Sequence, residues 1–432
     1  MPHAVLGVCA PLCIAWLCCE DRRAIPWRTV IGGVSLQLLG ALLLIGLPVA
    51  SRALFFLNDA ANALHEATLV GTRFVFGYLG GPPLPFAEAR PGAAFILAFQ
   101  ALPMVLTISA LAALLFHWGV LQAVTGLFAR LLRRVLGIGG PLALGAAVHV
   151  FVGMIEAPLL IRPWLARMQR GELFALMTCG MAGVAGTVMV IYASILSPLV
   201  PNALGNILIA SVISTPAALA IAALMVPFTP PAASGETASG EAAKEGPAGG
   251  GLISAAVLAH DKPVGALDAL VRGTMDGVPI LAAILATLLV TVALVTLANM
   301  GLGLLPDWSG APVTLQRLFA LPFRPLLWLM GVPWSETPAA ALLMASKTVL
   351  NEFVAYLDFS RLPPDALGPK SRAILTYALC GFANFGSLGI MIGGLGAMVP
   401  ERRHEVVGLG MRAILGGTLA TCMSGALAGA LL

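Results

Sequence analysis

Two acidic residues lie inside apolar segments of the chain, Glu156 in VGMIEAPLLI and Glu352 in TVLNEFVAYL. A carboxylate at membrane depth is costly unless water, a partner or a ligand compensates, so such residues mark candidate functional sites. The second segment adds Asn351, Asn384 and Ser387, and polar groups of this kind are costly to bury unbonded. A carboxylate with amides and a hydroxyl suits a ligand carrying neighbouring hydroxyls, both of which can donate to the carboxylate.

Each acidic residue also has a purely structural interpretation. Glu156 precedes Ala157-Pro158, and proline favours the first turn of a helix, so this carboxylate could cap a helix start. Lys347 lies five residues before Glu352, so these two charges could neutralise each other within one hairpin. Matched positions of the two acidic residues favour a shared site over two unrelated structural roles.

The segments around these residues follow one plan, in which an interrupted, charge-bearing apolar stretch precedes a Gly-rich one. The second unit follows the first by 196 residues (352 − 156). Broken hydrophobic segments at corresponding positions of two halves point to the central site of a transporter, because unwound backbone at membrane depth must line a cavity. An odd number of crossings between the units would make them inverted repeats. The four segments are 142–168, 173–196, 338–359 and 374–394.

The composition requires a membrane to bury these segments. Of the 432 residues, 59% are hydrophobic and only 10% are charged, whereas soluble domains are about one quarter charged. Uncharged stretches of roughly 20 residues, the length that spans a bilayer, recur along the chain. We therefore expect an all-α polytopic membrane protein with about eight transmembrane helices and shorter interfacial helices.

Charge placement predicts the orientation. The first apolar run has no basic residue before it and is followed by Arg22, Arg23 and Arg28, which suits a transmembrane helix that begins outside, not a cleaved signal. With that orientation, fifteen of the 24 Lys and Arg residues fall on the inner side. Both termini are therefore predicted to lie outside, on the periplasmic side of a bacterial membrane.

A low-complexity stretch rich in Pro, Gly, Ser and Glu divides the chain and cannot order itself by burying apolar surface. We expect scaffold helices TM1–TM3 in 1–116, and an interfacial helix, the first hairpin, TM4 and TM5 in 117–228. A flexible cytoplasmic linker would occupy 229–262, and TM6, the second hairpin, TM7 and TM8 would occupy 263–432.

Other functional classes find little support. The seven cysteines have no CxxC spacing, so the sequence predicts no metal site and no cofactor. The net charge of +4 comes from arginines spread along the chain, which argues against nucleic-acid binding. No HExxH, GxSxG or paired aspartates in facing spans accompany the acidic residues, so an enzyme is not expected.

Several stretches, among them GMIEAPLLI, SKTVLNEFVAYL and ALCGFANFGSLGIMIGG, resemble the concentrative nucleoside transporter family, and the likeness covers nearly the whole chain. The resemblance implies a homotrimer in a lipid bilayer, with a mobile transport domain inside a scaffold of outer helices. That domain would comprise two re-entrant hairpins in inverted repeats, at 141–168 and 337–359, and two broken helices at 172–196 and 369–394.

The resemblance also implies a substrate site. Ribose would be bound by Glu352, Asn384 and Ser387, with Phe382 as an apolar wall and Asn351 nearby. The first hairpin of the family usually reads GQTEAP, with Gln, Thr and Glu facing the base. Here only the acidic residue remains, so base recognition is expected to be weaker, more apolar or altered. The residues at these base-facing positions are Met154, Ile155, Glu156 and, packing on the base, Val188.

The coupling-ion site departs from the family pattern as well. Sodium-coupled members carry an Asn and a Ser or Thr where this chain has His149 and Gly183, which leaves only backbone carbonyls at Val152 and Val184. We therefore expect the sodium site to be lost. Because histidine titrates near neutrality, coupling to H+ through His149, Glu156 or both is the alternative to sodium. A neutral histidine bonded inside the hairpin is the structural interpretation of the same residue.

Together these features predict a cation-coupled importer of nucleosides in the bacterial inner membrane that works by alternating access. One alternative keeps the fold but carries a modified nucleoside or another ribosylated metabolite. Another is a gate-type membrane protein that shares the hairpin domain and transports nothing.

Overall fold

The computed structural model describes residues 2–46, 48–87, 94–229, 263–308 and 310–431, and these are almost entirely helical, with no β-strand among them. Apart from Thr229, the predicted linker 229–262 lies outside the described residues. The helices before the linker are α1 Pro2–Leu17, α2 Trp27–Gly46, α3 Pro48–Phe76, α4 Leu97–Gln100, α5 Met104–His117, α6 Val120–Leu136, α7 Gly140–Val148, α8 Glu156–Leu160, α9 Arg162–Leu165, α10 Arg170–Ala182, α11 Gly186–Leu196 and α12 Ala203–Met225.

The helices after the linker complete the fold. They are α13 Ala266–Leu302, α14 Leu315–Leu329, α15 Thr337–Val349, α16 Glu352–Ser360, α17 Pro369–Ala378, α18 Phe385–Met398 and α19 Arg403–Leu431. The all-α prediction is therefore confirmed for the described part of the chain.

Five of the described helical segments are long and apolar enough to cross a bilayer, and they differ sharply in burial. In α12, 89% of the residues in its apolar 18-residue stretch are buried within the chain. The value for the corresponding stretch that includes α19 is 83%, so these two helices form the centre. In α13 only 6% of the residues in the corresponding stretch are buried, although this stretch is the most hydrophobic of the five. A helix that is apolar and exposed along its length is suited to face lipid. The remaining two segments are α2 and 97–117.

In both hairpins a non-helical turn separates the first helix from the next, residues 149–155 in the first hairpin and 350–351 in the second. In the first, α7 begins at Gly140-Pro141, where proline fits the first turn, and the chain unwinds after Val148. In the second, α15 begins at Thr337-Pro338 and ends at Val349. The helix after each turn starts on an acidic residue, Glu156 in α8 and Glu352 in α16. The matched spacing in the sequence therefore corresponds to matched places in the two hairpins.

The helices that follow the hairpins are interrupted in mid-course. The chain leaves α10 at Gly183 in an extended conformation and re-enters helix at Gly186, which begins α11. The second interruption runs from the end of α17 to Asn384, whose side-chain oxygen accepts a 2.7 Å hydrogen bond from the Ser387 amide and so caps α18. Small residues at both interruptions allow the backbone to leave the helix.

Candidate functional site

The two interruptions touch each other at the centre of the molecule. The amide of Phe382, in the second interruption, donates a 3.2 Å hydrogen bond to the carbonyl of Gly183 in the first. The turn of the first hairpin joins them, because the amide of Gly186 donates to the carbonyl of Phe151 at 3.1 Å. Three stretches of unwound backbone, far apart in sequence, therefore satisfy one another's polar groups at membrane depth.

Glu352 lies at this centre and is almost completely buried, with 5% of its surface exposed. The hydroxyl of Tyr192, from α11, donates a 2.6 Å hydrogen bond to its Oε1 atom. The Nδ2 atom of Asn384 donates a 2.8 Å hydrogen bond to its Oε2 atom. Each carboxylate oxygen can accept more than one hydrogen bond, so both keep capacity for a ligand.

The partners of Glu352 are themselves held in place. Asn384 uses its amide nitrogen for the carboxylate and its amide oxygen to cap α18, so both ends of its side chain are engaged. Asn351 caps the adjacent helix α16 by accepting a 2.9 Å hydrogen bond from the Val354 amide. Locked rotamers of this kind pre-organise a binding site and reduce the entropy lost on binding.

A cavity of about 180 Å³ opens beside these groups. Its walls come from both hairpins, from α11 and α18, and from the largely exposed helix α13. All nine residues proposed from the sequence to contact a substrate line this cavity, namely Met154, Ile155, Glu156, Val188, Asn351, Glu352, Phe382, Asn384 and Ser387. The structure therefore brings the candidates from the two hairpins into one space.

The cavity also contains residues that the sequence did not single out. Tyr192 is one of these residues. It is one of only four tyrosines in the sequence and lies in an apolar, Gly-rich segment. Because a buried tyrosine hydroxyl needs a hydrogen-bond partner, its position in that segment could have identified it as a candidate. Thr287 lies opposite Gly386, where its methyl group is 3.3 Å from the place that a Cβ on that glycine would take. Helix α13 otherwise contributes an apolar wall that includes Ile280 and Ile284.

The first hairpin presents a different surface from the second. Met154 is buried, and the side chain of Ile155 packs against α18 where Gly394 leaves room for it. The carboxylate of Glu156 folds back over Gly153, where a Cβ would overlap it. Among the described residues, none donates a hydrogen bond to this carboxylate or forms an ion pair with it.

The proposed ion-coupling residues, apart from Glu156, lie outside the cavity lining. His149 is 4% exposed, and its Nε2 atom has no hydrogen-bond partner among the described residues. Val184 is also buried, while Val152 is half-buried. The imidazole of His149 packs against α10 near its end, since its Cε1 atom lies 3.1 Å from the position that a Cβ on Gly180 would take. Gly183 is the residue at which α10 ends.

A hydroxyl that the sequence did not suggest lies beside Gly183. The Oγ atom of Ser211, on α12, is 3.0 Å from the position that a Cβ on Gly183 would take, and it has no hydrogen-bond partner in the described part of the chain. The carbonyls of His149 and Cys179 lie 3.9 and 4.0 Å from the same position. The space beside Gly183 therefore has three oxygen atoms near it.

Lys347 and Glu352 do not form the direct ion pair that their spacing suggested, although their charges attract each other. The Nζ atom of Lys347 donates to the carbonyl of Ala378 at 2.8 Å and to the hydroxyl of Thr421 at 3.2 Å. The ammonium thus binds the last carbonyl of α17, where the helix dipole favours a cation. No ion pair joins it to Glu352 among the described residues, and the side-chain hydrogen bonds to the carboxylate come from the neutral groups of Tyr192 and Asn384.

Comparisons with known families agree with this architecture. A family model described as the C-terminus of Na+ dependent nucleoside transporters matches residues 206–429, and its N-terminal counterpart matches residues 6–79. A third model, described as Gate, nucleoside recognition, matches residues 98–199.

Similar proteins extend over the full length of the chain. The nucleoside permease NupC of Helicobacter pylori is 32% identical over 99% of this chain and 96% of its own length. An uncharacterized transporter of Haemophilus influenzae is 35% identical, with 99% and 96% covered. The sodium/nucleoside cotransporter 2 of Rattus norvegicus is 31% identical over 98% of this chain and 62% of its own length.

Solved structures of the transporter CNTnw share the fold. The inward-facing, substrate-bound state has a TM-score of 0.85 and 35% identity, covering 99% of this chain and 97% of the other. A doubly substituted form in an outward-facing state has a TM-score of 0.85 and 36% identity, covering 99% and 97%. The expected transporter fold is therefore confirmed, and the chain is a multi-pass membrane protein of the concentrative nucleoside transporter family and not an enzyme.

Proposed function

We propose that this chain imports nucleosides across the bacterial inner membrane, and that the ribose hydroxyls bind at Glu352. The observation that carries this proposal is the carboxylate of Glu352, which is oriented by Tyr192 and Asn384 beside a cavity. Two neighbouring hydroxyls can each donate to this carboxylate, and charge-assisted hydrogen bonds of this kind are stronger than neutral ones. Ser387 adds a hydroxyl at the same end of the cavity.

The position of the cavity supports an alternating-access mechanism. Its polar walls come from the hairpins and interrupted helices, while α13 supplies an apolar wall that includes Ile280, Ile284 and Leu288. We infer that the hairpins and interrupted helices move as a transport domain past this wall, within a homotrimer whose termini lie on the periplasmic side. An apolar wall makes few directional bonds, so it does not hold the moving surface in one position.

We propose that protons, not sodium, drive the import, with His149 as the group that carries the proton. Its imidazole is buried beside α10 and its Nε2 atom has no partner among the described residues, so that nitrogen is able to accept a proton. Glu156 is the second candidate carrier, because its carboxylate lines the cavity. Sodium in transporters is bound by unwound carbonyls and side-chain oxygens, and neither His149 nor Gly183 offers a side-chain oxygen.

The hydroxyl of Ser211 favours a second candidate for the driving ion. With the carbonyls of His149 and Cys179 it could complete an oxygen site beside Gly183, and that site would suit sodium. The two candidate driving ions require different residues, His149 or Glu156 for protons and Ser211 for sodium.

Uptake into proteoliposomes tests the proposal. We expect wild-type protein to accumulate a radiolabelled nucleoside when the outside is more acidic, without sodium, and we expect His149→Asn to lose this pH-driven uptake. Glu156→Gln would lose it instead if Glu156 carries the proton. Uptake that requires sodium and disappears in Ser211→Ala would overturn proton coupling. If none of a panel of nucleosides, including modified ones, is transported, the nucleoside proposal itself is wrong.

A further inference from the structure

The carboxylate of Glu156 lies in the cavity wall, but the ribose-binding groups do not use it. It belongs to the first hairpin, whereas Glu352, Asn384 and Ser387 belong to the second repeat unit. No hydrogen bond or ion pair connects it to any described residue. A negative charge at this depth needs a compensating partner. Its compensation must therefore come from water or from the bound substrate.

The part of the cavity lining that comes from the first hairpin has no other polar side chain. Its other members are Gly153, Met154 and Ile155, and apolar residues such as Val188 and Ile284 also line the cavity. The first hairpin therefore offers a single polar side chain to the cavity, and that side chain is a carboxylate. An ionised carboxylate accepts hydrogen bonds but donates none.

A carboxylate that accepts no hydrogen bond from the protein favours ligands according to the arrangement of their N–H groups. It binds best to two N–H groups that point the same way, as in the fork of a guanidinium, because both oxygens are then used. Uracil offers one N–H between two carbonyl oxygens, which repel a carboxylate. The edges of adenine and cytosine offer an amino group beside an acceptor nitrogen. Guanine offers adjacent N1–H and N2–H donors, and hypoxanthine offers the first of these without the second.

We propose that Glu156 makes this transporter selective for nucleosides with a guanine-type base, through a bidentate pair with the N1–H and N2–H groups. This inference rests on the proposed function, since it assumes that the ribose occupies the Glu352 end of the same cavity. The flat faces of a purine then lie against apolar side chains, where no hydrogen bond is lost.

Gly153 is part of this arrangement. The carboxylate of Glu156 occupies the space that a Cβ at position 153 would need, so its position depends on glycine there. The carboxylate is thus placed by local backbone geometry and requires no protein donor to hold it.

Competition for uptake into proteoliposomes tests the selectivity. Unlabelled guanosine, inosine, adenosine and uridine would each compete with radiolabelled guanosine. For wild-type protein we expect guanosine to compete at least ~tenfold more strongly than inosine, which lacks only the N2 amino group, and more strongly still than uridine. In Glu156→Gln the ratio between guanosine and inosine should fall to about threefold or less, because an amide accepts at one atom only.

A ratio between two ligands cancels any general loss of transport rate in the variant. Glu401→Gln is the matched control, because Glu401 is exposed and does not line the cavity, and it should keep the wild-type ratio. Equal competition by guanosine and inosine in wild-type protein would overturn the selectivity while leaving nucleoside transport intact. Absence of uptake by the wild-type protein for every nucleoside would instead remove the proposed function, and this inference with it.

Discussion

The hydroxyl of Tyr192 donates a 2.6 Å hydrogen bond to the carboxylate of Glu352, although 160 residues separate the two in the chain. This bond links α11, which follows the first hairpin, to α16 of the second hairpin. It therefore connects the two repeat units at the point where the substrate is proposed to bind.

Replacing Tyr192 with Phe should weaken substrate binding without unfolding the protein. Because this bond is present without substrate, its loss affects binding through the orientation of the carboxylate, and KM for uptake should rise roughly tenfold, about 1.4 kcal/mol. Tyr356→Phe is the matched control. The ring of this buried tyrosine packs on that of Tyr192, with 5.1 Å between the ring centroids, but its hydroxyl donates to the carbonyl of Thr376. The control should lower thermal stability and leave KM near the wild-type value. An unchanged KM in Tyr192→Phe would show that Glu352 does not need this donor.

Replacing Glu352 with Gln should abolish most uptake. Tyr192 and Asn384 donate to different oxygens of the carboxylate, and a side-chain amide has an acceptor at only one of these two positions. The amide also lacks the charge that strengthens bonds to hydroxyls. We expect uptake at low nucleoside concentration to fall by roughly 100-fold or more. The variant should also lose stabilisation by nucleosides in a thermal unfolding assay. Wild-type uptake would contradict the assignment of Glu352 to the ribose.

Restoring the side chains of sodium-coupled members should create a requirement for sodium. His149→Asn with Gly183→Ser supplies two side-chain oxygens, but a Cβ at position 183 would lie 3.0 Å from the hydroxyl of Ser211. We therefore expect the triple variant that adds Ser211→Ala to fold better than the double variant. Uptake by the triple variant, measured at constant pH with and without sodium, should depend on sodium. Continued indifference to sodium would mean that the missing ligands lie elsewhere.

Replacing Gly153 with Ala should disturb the first hairpin specifically. The added methyl group overlaps the carboxylate of Glu156 and must displace it, so uptake of the preferred nucleoside should fall by roughly tenfold, about 1.4 kcal/mol. Gly389→Ala is the control, because no atom lies within 4 Å of the position that its Cβ would take. Equal loss in both variants would indicate a general effect on folding.

Hairpins, interrupted helices and the two acidic residues could be predicted from the sequence because their causes are local. Proline at Pro141 and Pro338, the capping residues Asn351 and Asn384, and the glycines near Gly183 act on the backbone within a few residues. The need to compensate a carboxylate at membrane depth likewise follows from residue type and hydropathy alone. These signals indicated Glu156, Glu352, Asn351, Asn384 and Ser387, and the other four cavity residues were predicted only from the resemblance to the transporter family.

Which groups meet across the cavity was decided only by tertiary packing. Lys347, five residues from Glu352, instead bonds Ala378 and Thr421, while the donors to that carboxylate come from Tyr192 and Asn384. Ser211 beside Gly183 is a further contact between separate helices. Residue spacing along one helix predicts which of its residues share a face. It does not predict which face of another helix packs against that face. The sequence determined that two carboxylates would need partners. The packing of the two repeat units determined that Glu352 has protein partners and that Glu156 has none among the described residues.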